Sequence, residues 1–170
     1  MAIETPPPIR LIVPADAALY REVRLEALKQ HPEAFGSSFE YESDKSLAWF
    51  EDRIAQSEIF GAFVDGELQG TAGYRVQDGP KRRHKGLLWG MYVRPAARNL
   101  GLGRRLVEAV LKHASGHVEL LHLTVVSENL SAQRLYTSLG FAEYGREARA
   151  LKQNGRYYDE ILMVRFLTAR

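Results

Sequence analysis

The stretch Leu87-Leu88-Trp89-Gly90-Met91-Tyr92-Val93-Arg94-Pro95-Ala96-Ala97-Arg98-Asn99-Leu100-Gly101-Leu102-Gly103-Arg104 decides how this chain is read. Its apolar first half, Leu87 to Val93, reads as a strand, and Pro95 stops it because proline has no N–H to continue a ladder. Downstream, Leu106, Val107, Val110 and Leu111 recur at helical spacing on one face. Between strand and helix lies a turn built on Gly101 and Gly103. Such a turn aims main-chain N–H groups and the positive end of a helix dipole at one anion. Glycine lets the backbone approach without a Cβ in the way, and Arg98 and Arg104 add positive charge. The guest this suits is a phosphate or pyrophosphate.

Several phosphate-binding turns share these features. A P-loop requires G-x-x-x-x-G-K-[ST], which occurs nowhere in the chain. A dinucleotide fingerprint requires G-x-G-x-x-G, but Leu106 stands in the third glycine's place, and the turn lies past mid-chain rather than in an early βαβ unit. An ordinary strand-to-helix turn with two glycines remains the plain alternative.

Arg98-Asn99-Leu100-Gly101-Leu102-Gly103 resembles the Arg/Gln-x-x-Gly-x-Gly/Ala signature of the GNAT N-acetyltransferase superfamily. Asn129, Ala132, Leu135, Tyr136, Gly140 and Phe141 are similar to its second motif, Asn-x-x-Ala-x-x-Leu-Tyr-x-x-x-Gly-Phe. The match is dense over residues 85–141, and the order of expected elements extends it over nearly the whole chain.

The resemblance implies an acetyl-coenzyme A donor, its pyrophosphate on Arg98, Asn99, Leu100, Gly101, Leu102, Gly103 and Arg104. Met91, Tyr92 and Val93 of the fourth strand, with Asn129 and Ala132, would contact the pantetheine arm. Tyr136 would meet the sulfur and give a proton to the departing thiolate. A phenol (pKa about 10) and a thiol (about 8.5) are close enough for that transfer. Without the motif, a tyrosine beside Ala132, Leu135 and Leu139 would read as core packing. Asn129 would read equally well as a helix N-cap. A backbone N–H of the fourth strand would stabilise the oxyanion. No acid stands in Leu87 to Val93, so the base is open among His122, Glu40, Glu42, Glu160 and water. The segment Phe35 to Glu42 and the terminal Tyr157-Tyr158-Asp159-Glu160 would wall the acceptor site.

The remaining elements follow from periodicity. Pro6-Pro7-Pro8 closes a loose arm over residues 1–8, and Ile9 to Val13 reads as a first strand. Asp16 is placed to N-cap a helix carrying Tyr20, Val23 and Ala27. A second helix begins near Ser43 to Ser46, with Leu47, Phe50 and Ile54 on its buried side. Ile59 to Asp65 and Leu68 to Arg75 form a hairpin around Asp65-Gly66. Lys85 to Val93, the helix after Gly103 and Val118 to Val126 make a βαβ unit. A helix from about Asn129 to Leu139 ends at Gly140 as its C′ residue. Phe141 to Leu151 and Arg156 to Leu167 flank the turn Asn154-Gly155. The fold class is α/β: a mixed sheet of about seven strands, helices on both faces and, from the resemblance, a V-shaped splay between the fourth and fifth strands.

With 170 residues, the chain is expected to form a single domain, 1–170. No apolar run approaches the roughly 20 residues of a membrane span, and no secretory leader is visible. A cytoplasmic protein without a membrane partner is expected. The chain has no cysteine, so disulfides, thiolate metal sites and an acyl-cysteine intermediate are excluded; no metal is expected. A formal charge of +2 is too small to argue for nucleic acid, and Lys81-Arg82-Arg83-His84-Lys85 reads as a solvated hairpin loop. The expected partner is a primary amine of a small molecule or a peptide, and a homodimer is compatible with the sequence. The rival reading is a non-catalytic acyl-coenzyme A-binding module that regulates a partner.

Overall fold

The structure, a computed structural model, describes residues 6–168; residues 1–5 of the expected arm lie outside the described residues. The elements are β1 (Ile9–Leu11), α1 (Ala17–Gln30), α2 (Phe39–Ser43), α3 (Leu47–Ala55), β2 (Glu58–Val64), β3 (Glu67–Val76), β4 (Lys85–Val93), α4 (Leu102–Ala114), β5 (Leu120–Val126), α5 (Leu130–Ser138), β6 (Ala142–Gln153) and β7 (Arg156–Phe166). Among the described residues they form one seven-stranded sheet in the order β1-β2-β3-β4-β5-β7-β6, with β4 and β5 the parallel pair. Both hairpin turns form where glycine pairs announced them: Asp65 and Gly66, and Asn154 and Gly155, all have positive φ.

One apolar cluster joins α4 and α5 to the sheet through Leu102, Leu106, Val110, Leu123, Tyr136 and Met163. A second joins α1 and α3 to it through Tyr20, Val23, Phe50, Ile54, Ile59 and Leu68. Helices therefore cover both faces.

Three expectations change. Asp16 holds the N-cap position of α1 but its side chain makes no capping bond; the carboxylate instead accepts the Val13 N–H at 2.8 Å and pairs with Arg10, closing the short turn before the helix. Leu47 is 41% exposed, because it opens α3 behind the Ser46 cap and only Phe50 and Ile54 turn inward. The wall segment Phe35 to Glu42 contains an unexpected helix, α2, capped by the Ser38 hydroxyl accepting the Tyr41 N–H at 3.2 Å.

That helix delivers Glu42, 1% exposed, to Arg24 of α1, 7% exposed. Arg24 donates from Nε at 3.0 Å and from Nη2 at 2.8 Å, and Arg53 of α3 adds a third bond at 3.1 Å. Burial alone would raise the Glu42 carboxyl pKa, but the Arg24 hydrogen bonds and the two guanidinium charges hold it below the ordinary value. Removing Glu42 strands a buried cation, so Glu42→Ala is expected to lose about 3–5 kcal/mol in urea unfolding. The depressed pKa also fixes a sign. The pair's contribution is complete above the unfolded carboxyl pKa of about 4.3 and disappears as pH falls through the lower folded value. The wild-type unfolding midpoint should drop with acid in that window, and Glu42→Ala should flatten the drop.

Candidate active site

β4 and β5 pair only at Lys85–Leu120, Gly86–Leu121 and Leu87–His122. Beyond those pairs β4 stays bonded to β3 and β5 to β7, so each strand turns one free edge toward the other. The cause lies in β4. Thr71 pairs with Tyr92 and Gly73 with Trp89, which sets Gly90 and Met91 together against Ala72 as a bulge. Gly90 sits at φ +61°, the left-handed region that glycine enters without strain. An extra residue reverses the side-chain alternation. Met91 and Val93 consequently face the α4 cluster, whereas Trp89 and Tyr92 face the α1 cluster.

The parted strands open a cleft of about 660 Å³. Of the residues singled out in the sequence, Met91, Tyr92, Val93, Arg98, Gly103, Asn129, Ala132 and Tyr136 line it. Asn99, Leu100, Gly101, Leu102 and Arg104 are not among its lining residues; they form the turn at the α4 end.

That turn has a shape suited to an anion. Pro95–Leu100 is a 3-10 segment, Gly101 caps α4 at φ +68°, and nothing lies within 4 Å of the Cβ it would carry. The first amides of α4 have no preceding carbonyl in the helix to bond, and they carry the positive end of its dipole. Arg98 donates from Nε to the Val93 carbonyl at 3.2 Å, with Nη2 3.2 Å from His31 Nε2. Arg104 reaches α5, donating to Ser138 Oγ at 2.7 Å. The Leu102 side chain is core.

The second motif supplies the opposite wall. Asn129 caps α5, its Oδ1 accepting the Ala132 N–H at 3.2 Å, so the N-cap reading is realised while the side-chain N–H₂ keeps its donors for a ligand. Tyr136 is 6% exposed, its ring edge-on to Phe141 at 5.9 Å, and its hydroxyl has no partner among the described residues. Burial raises the phenol pKa above its ordinary value, keeping the proton on oxygen at neutral pH. Tyr92 behaves differently. Its hydroxyl turns away to Glu26 at 2.9 Å, and burial with that bond pushes its pKa up to about 12. It is a brace to α1.

Glu33, Ala34, Phe35, Trp89, Gly90 and Thr124 are also among the lining residues. The sequence reading missed Gly90, Trp89 and Thr124; the signal was available only for Gly90, a glycine inside an apolar strand. The candidate bases separate clearly. Glu42 is fully engaged by Arg24 and Arg53. Glu40 is exposed on α2. His122 is bonded to the Tyr144 hydroxyl at 2.9 Å, and burial with nearby Lys85 and His84 holds its pKa below the ordinary value. Glu160 of β7 stands opposite Val126 and beside Thr124, without an Arg or Lys partner among the described residues. Burial and the facing Glu147 raise its carboxyl pKa, with the Thr124 hydroxyl opposing them. Its neighbour Asp159 is held low instead, by the Arg149 N–H and by Arg146.

Of the walls expected for an acceptor, Phe35 lines the cleft, while Tyr157 at the β6–β7 turn is 48% exposed and stacks with Arg149 and Lys152. No helix among the described residues is long and apolar enough to cross a membrane.

Known proteins agree with this geometry. The L-amino acid N-acetyltransferase of Escherichia coli is 26% identical over 148 residues, covering 82% of this chain and 90% of the relative. The L-methionine sulfoximine/L-methionine sulfone acetyltransferase of Salmonella typhimurium is 28% identical over 163 residues, 91% of each chain. A Salmonella typhimurium acetyltransferase solved with its cofactor acetyl-coenzyme A superimposes at a TM-score of 0.83, with 25% identity over 98% of this chain and 96% of the other. The acetyltransferase (GNAT) family model matches residues 20–141, and this chain belongs to that family as an acetyl-coenzyme A-dependent N-acetyltransferase.

Proposed function

We propose that residues 1–170 act as one catalytic domain that acetylates the primary amine of an amino acid or a close analogue. The observation that carries this reading is the acceptor half of the cleft, bounded by Phe35, Trp89 and Thr124, which suits a small amine. Two of the relatives above are named for amino-acid acceptors. The open Tyr136 hydroxyl favours catalysis over a purely regulatory acyl-coenzyme A module.

The donor, when bound, supplies an acetyl thioester. The α4 amides hold its diphosphate, and the free edge of β4 pairs with its pantetheine amides as an added strand would. An N–H of the bulged segment stabilises the charge gathering on the carbonyl oxygen. Thr124 passes the amine proton to Glu160, whose raised pKa suits a general base. Tyr136 returns a proton to the leaving sulfur.

Coenzyme A release across a panel of L-amino acids, other small amines and peptide N-termini tests the acceptor. Turnover concentrated on free amino acids supports the reading; turnover confined to peptides overturns it. Glu160→Gln tests the base. A base works ionised, so wild-type kcat should rise with pH through the raised Glu160 pKa, above the ordinary carboxyl value of about 4.3. The variant should lose that limb and about 10²–10⁴ in rate.

A further inference from the structure

The buried trio Arg24, Glu42 and Arg53 sets two guanidinium charges against one carboxylate. Arg53 is 23% exposed and lies over the Trp49 and Trp89 rings at 5.2 and 5.0 Å, so solvent and π faces help to carry its charge. Arg24 is sealed more deeply, with Phe35 at 5.4 Å from its guanidinium carbon. Two of its three nitrogens, Nε and Nη2, are taken by Glu42. Nη1 has no acceptor among the described residues, and it is not among the fully buried atoms that lack a partner.

Its position gives that nitrogen a meaning. The Arg24 Nη1 atom is the one neighbour within 4 Å of the Cβ that Gly90 would carry, at 3.8 Å. Gly90 lines the cleft at the bulge. The preceding residue holds another unsatisfied donor: the indole N–H of Trp89, a residue of the cleft lining, is buried without a hydrogen-bond partner among the described residues. Arg24 is not itself a lining residue of the cleft, but the bare Gly90 carries no side chain over its Nη1 N–H, and Glu42 fixes the orientation of the fork. Unsatisfied donors in a low-dielectric wall favour an anionic guest, and a carboxylate is the anion that a guanidinium fork fits best.

We infer that Arg24 Nη1, reached past Gly90, binds the carboxylate of the acceptor, so that the enzyme selects amines that also carry a carboxyl group. This rests on the amino-acid reading above and assigns the residue that enforces it. Arg24 touches the substrate; Glu42 is a positioning residue that acts through it.

The test compares matched acceptors that differ only at the carboxyl group: an amino acid, its amide and its decarboxylated amine. Wild-type kcat/KM for the acid should exceed that for either partner by about tenfold to a hundredfold, the range of one hydrogen bond to a charged group. Arg24→Lys keeps a cation against Glu42 but removes the fork, so the acid-to-amide ratio should collapse toward one. Acetyl-coenzyme A affinity serves as the check that this variant is folded. If Arg24→Lys fails to fold, Arg24→Gln/Glu42→Gln, which removes the paired charges together, is read by the same ratio. A merely structural Arg24 would leave the ratio intact. Equal use of acid and amide by the wild type, or a ratio preserved in a folded variant, overturns the inference.

A second readout needs no turnover. The N-acetylated amino acid should raise the wild-type melting temperature more than its N-acetylated amide does, and Arg24→Lys should erase the difference. If no amine is acetylated but this difference is present, the acceptor reading fails while the carboxylate site stands. If the difference is absent, the carboxylate site fails.

Discussion

Gly101→Glu is expected to abolish measurable acetyl-coenzyme A binding. Gly101 holds φ +68° with open space where a side chain would project, and the α4 amides begin directly behind it. Three penalties combine. A non-glycine residue in the left-handed region costs roughly 1–2 kcal/mol. A carboxylate about 4 Å from a phosphate adds repulsion of about 4 kcal/mol at an effective dielectric constant of 20. The glutamate would also occupy the space over the amides. Together these are on the order of 5 kcal/mol or more, a loss of several thousandfold. Isothermal calorimetry reads the result, and Gly101→Ala isolates the strain, since it should cost no more than about thirtyfold. An unchanged dissociation constant for the glutamate variant would remove the turn from the binding site.

Tyr136→Phe is expected to lower kcat by about 10²–10⁴ while leaving acetyl-coenzyme A affinity nearly unchanged. The substitution deletes one oxygen that has no partner among the described residues, so it strands no buried group among them, and the ring keeps its contact with Phe141. The folded protein should therefore be at least as stable as the wild type. Because burial holds the phenol proton on oxygen, the Tyr136 hydroxyl should contribute no limb to the wild-type pH profile below about pH 10. Stopped-flow or steady-state rates with a thiol reagent for coenzyme A check both statements. Full activity in the variant would show that sulfur leaves without a proton from this residue.

What the sequence disclosed was local or periodic. The strand–glycine turn–helix run, the Asn129-to-Phe141 motif, the Asp65-Gly66 and Asn154-Gly155 turns and the Gly140 cap all formed where the spacing put them, Gly140 at φ +86°. Each is set by neighbours within a few positions. The features that open the cleft and set the buried charges near it are not local. The bulge depends on how β4 registers against β3, so Gly90 hinted at it but could not establish which residue was extra. Arg24 and Glu42 are 18 positions apart and meet only because the short helix α2 folds back on α1. That helix follows Gly36, Ser37 and Ser38 and spans only five residues, too few for a hydrophobic period to show. Tyr92 is a lining residue of the cleft, yet its hydroxyl bonds to Glu26 of α1, a partner that only the tertiary fold supplies. Glu160 needed the β5–β7 pairing to bring it beside Thr124.

A crystal structure of the complex with acetyl-coenzyme A tests the central claim most directly. The expected density has the diphosphate on the main-chain amides of residues 101–104, the pantetheine arm running along the free edge of β4 at Met91 and Val93, and the sulfur within hydrogen-bond reach of the Tyr136 hydroxyl. A donor seated outside the gap between β4 and β5, or one whose sulfur lies far from Tyr136, would contradict it.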